Sequence, residues 1–128
     1  MDTSTRARIK VTIPRREWYR GKGAIPSRLL QLDGTGCCLG HVGQACGVPI
    51  WKMLLMSAPS DVVKKHPDVL HTPFARLLIG ATEGYMVVRA MQVNDRLPEN
   101  IGSDLLREEV IIASLAALGF DIEFVGEG

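Results

Sequence analysis

Cys37 and His41 are the residues of this 128-residue chain whose types and spacing best suit chemistry. Four residues apart, a thiol and an imidazole share one face of a helix, and a cysteine near a helix N-terminus has its thiolate favoured by free N–H groups and the dipole. That outlines a cysteine nucleophile with a histidine base, in which Asn94 or Asp95 would orient the imidazole as a third group. The competing reading is packing. Adjacent cysteines such as Cys37 and Cys38 most often act as small hydrophobes, and no separate oxyanion-hole signature accompanies them. Cys37, Cys38, His41 and Cys46 also form a nominal zinc set. One short helix cannot point all four inward, because nine residues carry Cys46 about 180° round the axis from Cys37. The C-x2-C spacing of zinc sites is absent as well, so neither a metal nor a cofactor is expected.

A second candidate is the basic stretch holding Arg15, Arg16, Trp18, Tyr19, Arg20 and Lys22. Its cations interleaved with aromatics have the make-up of a contact surface. Residues 15–28 would suit phosphates and bases, while Trp, Tyr and Arg are also the side chains that anchor protein interfaces. Gly21 and Gly23 alone do not make a phosphate cradle, since no helix start follows them. The alternative is a flap whose aromatics fold back on the core.

These residues need elements to hold them. Leu32 to Val48 reads as a turn, Asp33-Gly34 and Thr35-Gly36, opening into a helix over 37–46 that stops at Gly47 and Pro49. Cys38, Leu39, Val42, Ala45 and Cys46 share its core side. Gly36, Gly40, Gly43 and Gly47 leave another flank bare, which calls for close approach by a neighbour or ligand, because each interior Gly costs about 0.8–1 kcal/mol against Ala. Before this segment, residues 1–7 read as a frayed tail, Arg8 to Ile13 as a half-buried strand and Arg28 to Leu32 as a second short strand. After it, a helix runs through Ile50 to Met56 as part of the core. Ser57 to Pro73 reads as loop with a helical turn at most, Tyr85 to Val93 leans to helix, and residues 104–118 form a helix capped by Ser103 and Gly119. Phe120, Ile122 and Phe124 then alternate as a closing strand. It should pair with the first, setting Asp121 and Glu123 near Lys10 and Arg8. The expected fold is therefore α+β, one domain over 1–128, with a small mostly antiparallel sheet and helices packed on one face.

Composition narrows the partners. A net charge of +1 and 46% apolar residues give no general attraction to polyanions. The ends differ sharply, with eight Arg/Lys against two Asp/Glu in residues 1–28 (+6) and one against seven in residues 99–128 (−6). Such ends attract, within one fold or between two copies as a homodimer. No apolar run approaches the roughly 18 residues of a membrane helix, so no membrane partner is expected. Three cysteines do not make the even framework of a secreted domain, which fits the cytoplasm of a host cell.

The segment Leu32-Asp33-Gly34-Thr35-Gly36-Cys37-Cys38-Leu39-Gly40, preceded by a Lys-Val-Thr-Ile-Pro strand and followed by Val93-Asn94-Asp95, resembles a group of small phage and prophage proteins of uncharacterised function that carry a DGxxCCLG segment. Arg96 stands where that group often has a second acid. The resemblance implies origin more than chemistry. Together these readings favour a phage- or prophage-derived accessory protein acting as a non-catalytic binding module, with a host or phage protein ranking ahead of nucleic acid as partner. The alternatives are a cysteine enzyme using Cys37, His41 and Asp95, and a nucleic-acid binder using the basic loop.

Overall fold

Ile9, Val11 and Ile13 alternate with polar residues, as do Phe120, Ile122 and Phe124, and these two segments find each other. The computed structural model describes residues 8–19, 28–78, 90–91, 93–94 and 104–127. In chain order they form β1 (Ile9–Pro14), a 3-10 turn (Arg15–Glu17), α1 (Cys38–Ala45), α2 (Ile50–Met53), α3 (Pro59–Lys65), two further 3-10 turns (Pro67–His71 and Pro73–Leu77), α4 (Asp104–Ala116) and β2 (Phe120–Val125). Residues 90–91 and 93 are also helical, as expected, and Asn94, expected in a loop, is helical too; the rest of Tyr85 to Val93, the Ser103 cap and the 1–7 tail lie outside the described residues.

β1 and β2 form a two-stranded sheet that is wholly parallel, with Ile9, Val11 and Ile13 beside Phe120, Ile122 and Phe124. This corrects the expected mostly antiparallel sheet. Alternation with period two decides which side chains face inward and is identical for both strand directions. Direction is set by the connection, which here is nearly the whole chain and works as one long crossover. The chain leaves α4 through Gly119, whose φ is +91°, and Ile9 N donates to the Gly119 carbonyl at 3.0 Å, so β2 starts level with β1. The second expected strand, Arg28 to Leu32, is reduced to one bridge between Leu30 and Leu54.

The charged ends pair within the fold. Arg8 donates to Asp121 Oδ1 at 2.7 and 2.9 Å, and Lys10 lies beside Asp121, whereas the parallel register sets Glu123 beside Thr12. Arg15 grips both oxygens of Glu108, at 2.8 and 2.9 Å, and reaches the Gly126 carbonyl.

Ser57 to Pro73 is more helical than expected, because its prolines start turns instead of stopping them. Pro59, Pro67 and Pro73 each sit in a first turn, where a missing N–H is harmless. Asp61 accepts from Ala58 N at 3.2 Å, and Thr72 Oγ1 from Phe74 N at 3.2 Å. The helix expected through Met56 ends at Met53, with Leu55 at φ +61°. A bulky residue in this left-handed region costs roughly 1–2 kcal/mol. Donation from Leu55 N to the Leu30 carbonyl, at 2.8 Å, holds it there.

One core joins these pieces. Val11, Ile13, Leu29, Leu39, Val42, Met53, Phe74, Ile111, Leu115 and Phe120 are essentially inaccessible. α1 packs on β1 and α4 on β2.

Candidate functional site

α1 begins where a polar junction is buried. Its first residues, Cys38, Leu39, Gly40, His41, Val42 and Gly43, are all buried, so the expected core side, on which Ala45 proves exposed, extends nearly round the helix. The glycine flank explains this. A Cβ on Gly40 would lie 1.8 Å from the Leu29 carbonyl oxygen, and one on Gly36 2.3 Å from the same atom. The close approach expected from the glycines is thus made by the chain's own backbone at Leu29. At the other end Gly47, with φ +88°, closes the helix: Val48 N donates to Gly43 O and Gly47 N to Gln44 O, a Schellman pair.

Asn94, fully buried, ties three segments together. Its Oδ1 accepts from Trp18 Nε1 at 2.7 Å and from Cys38 N at 3.2 Å, and its Nδ2 donates to the Tyr19 carbonyl at 3.1 Å. Arg107, itself buried, donates to the Asn94 carbonyl. Asn94 therefore supplies the side-chain acceptor at the start of α1 that Cys37, in the N-cap position, does not.

The structure places Cys37 and His41 on the first turn of α1, as their spacing implies, and both are buried. His41 Nε2 lies 2.9 Å from the Glu17 carbonyl. A carbonyl only accepts, so Nε2 carries the proton and donates. Burial holds the imidazole below the usual histidine range, opposed by the Glu17 carbonyl, the Glu17 charge and the Gly36 carbonyl. Asn94, one of the two groups expected to orient the imidazole, faces Trp18 and Cys38; Asp95, the other, lies outside the described residues. Cys46 is half-buried, and burial pushes its thiol up to about 11, opposed by the nearby Arg76 charge. None of the three cysteines forms a disulfide. Among the described residues no three His, Cys, Asp or Glu side chains group as metal ligands.

The basic stretch divides. Trp18 is buried with its ring centroid 4.4 Å from that of Phe124, so this aromatic folds back on the core. Arg15 is engaged by Glu108, while Arg16 and Tyr19 are exposed. Arg20 and Lys22 lie outside the described residues.

Outward-facing apolar residues lie on α4, at Leu105, Leu106 and Ile112, and around a concavity beside α2. A groove of about 450 Å³ is lined by Glu17, Leu30, Leu32, Ile50, Trp51 and Leu54. Leu32 is 80% exposed, Trp51 64% and Ile50 55%, an unusual concentration for so small a protein. The amides of Gln31 and Gln44 add polar points to its wall. Trp51 is held from behind, with the His66 ring edge-on at 5.2 Å and Lys52 Nζ 5.3 Å from its ring centre. Sequence reasoning assigned Ile50 to Met56 to the core and so missed this surface. No local signal marks it: α2 covers only Ile50–Met53, and Met53 is its buried residue.

No family model, curated protein or solved structure matches the chain. Among the described residues no helix is long and apolar enough to cross a membrane.

Proposed function

We propose that the protein is a non-catalytic binding module that takes up another protein through the groove beside α2. The observation carrying this reading is the set of Leu32, Ile50 and Trp51 exposed together around a concave surface on a fully packed core. Exposed aliphatic and aromatic side chains grouped in this way are what protein interfaces bury, and a tryptophan already braced by its neighbours loses little freedom on binding.

The cysteine-enzyme alternative asks His41 to take a proton from Cys37. Donation from its Nε2 to the Glu17 carbonyl leaves Nδ1 as the basic nitrogen, and burial disfavours the protonated state a base must pass through. The DGxxCCLG resemblance supports a phage or prophage origin, and cysteines without disulfides suit a host cytoplasm. The test is native mass spectrometry of untagged protein recovered from the cells that make it. A stoichiometric protein partner that is lost in Trp51→Ala supports the reading. A bare wild-type species would overturn it.

A further inference from the structure

We infer that the groove is built for a protein segment that combines an apolar anchor with a lysine or arginine. This deepens the binding-module reading and rests on it. The apolar lining would receive the anchor; the charge around the lining decides what accompanies it. Glu17 lines the groove with an exposed side chain, and its backbone carbonyl is fixed by donation from Gly36 N and His41 Nε2. Asp33 sits between two lining residues, Leu32 and Gly34, and stays ionised because Thr35 donates to it through both N and Oγ1, which holds its carboxyl below the usual range. Among the described residues, two cations close in sequence to the lining are paired with acids. Lys52 is closed onto Asp68, and Arg15 onto Glu108. Arg16 is exposed next to Glu17 and is not part of the lining.

Glu17 is the one charged residue among the described residues that line the groove, and a carboxylate beside an apolar floor favours a cationic side chain and repels an acidic one, so this charge sets which partners are accepted. An arginine suits the place well, since its planar fork can take a carboxylate with two hydrogen bonds while its stem covers apolar surface. The occupant is therefore a segment of a different protein, short enough for the groove, with leucine, isoleucine or phenylalanine next to a basic residue.

The probe is a randomised peptide library displayed on ribosomes and selected on the full chain, followed by fluorescence titration of the winners. Trp51 and the buried Trp18 are the protein's two tryptophans, so a blue shift on binding reports Trp51, and Trp51→Phe should remove it. Enrichment of apolar-plus-basic sequences is expected, with about a tenfold loss of affinity when the basic residue becomes glutamate. Glu17→Lys, which leaves the backbone carbonyl in place, should reverse that preference at an unchanged unfolding midpoint. Enrichment of neutral or acidic sequences, binding indifferent to Glu17→Lys, or a wild-type homodimer that Trp51→Ala dissociates would each overturn the proposal. Should the library fail while Trp51→Ala still strips a native partner, the charge assignment falls and the binding module stands. Should no native partner exist, both fall.

Discussion

The start of α1 and the groove beside α2 use opposite kinds of residue for opposite ends. At α1, groups with reactive potential, a thiol, an imidazole and an amide, are buried, the imidazole directed at a backbone carbonyl and the amide at backbone and indole partners. At the groove, side chains with no reactive potential stand in solvent around a concavity. The lesson is that residue type alone misplaces function here. A buried hydrogen-bonding group left without a partner costs about 1–3 kcal/mol, which is reason enough to keep Asn94 and His41 where they are. Trp51 stays 64% exposed beside its His66 and Lys52 contacts.

Substitutions can break this contrast. The largest effect is expected for Gly40→Ala, whose new methyl meets the Leu29 carbonyl carbon at 2.7 Å and its oxygen closer still. Backbone on both sides leaves little room to yield, so a loss of roughly 3 kcal/mol or more, or failure to fold, should appear in urea unfolding. Next is Asn94→Leu, which removes the acceptor shared by Trp18 Nε1 and Cys38 N. A loss of about 2–5 kcal/mol is expected by the same measurement.

A pH profile sharpens the α1 side. The His41 pKa is lowered in the folded state, so the unfolded chain binds the extra proton more readily. Stability from this group is complete above the ordinary histidine pKa of about 6.5 and falls as pH drops from there toward the lowered folded value. Unfolding midpoints should therefore decline as pH falls through that window, and His41→Gln should flatten the decline. Asp33, Asp68 and Asp121, all held low, contribute their losses only at more acid pH. Smaller still is Leu55→Gly, which relieves a left-handed leucine and should raise the unfolding midpoint, by about 0.5–1 kcal/mol after the extra chain entropy of glycine.

What was readable in the sequence follows the same division. Periodicity located β1 and β2, cap residues located α4, and the glycine stripe announced a close approach that Leu29 makes at Gly36 and Gly40, because these patterns are local or leave a visible gap. Strand direction was not readable, since both directions bury the same alternate residues and the choice rests on a crossover spanning most of the chain. The prolines of 57–73 misled because a first-turn proline and a helix-breaking proline look alike without the flanking hydrogen bonds. Cys37 and His41 stood out for their types and spacing, but the contact that commits His41, to the Glu17 carbonyl, lies 24 residues away in the chain. Ile50 and Trp51 looked like core because nothing local reveals that Met53 alone turns inward.

The most direct test sets the two regions against each other in one experiment, native mass spectrometry of Cys37→Ala and Trp51→Ala recovered from the same cells as the wild type. The account predicts that Cys37→Ala keeps its protein partner and Trp51→Ala loses it, both remaining folded. A partner retained by Trp51→Ala and lost by Cys37→Ala would contradict it.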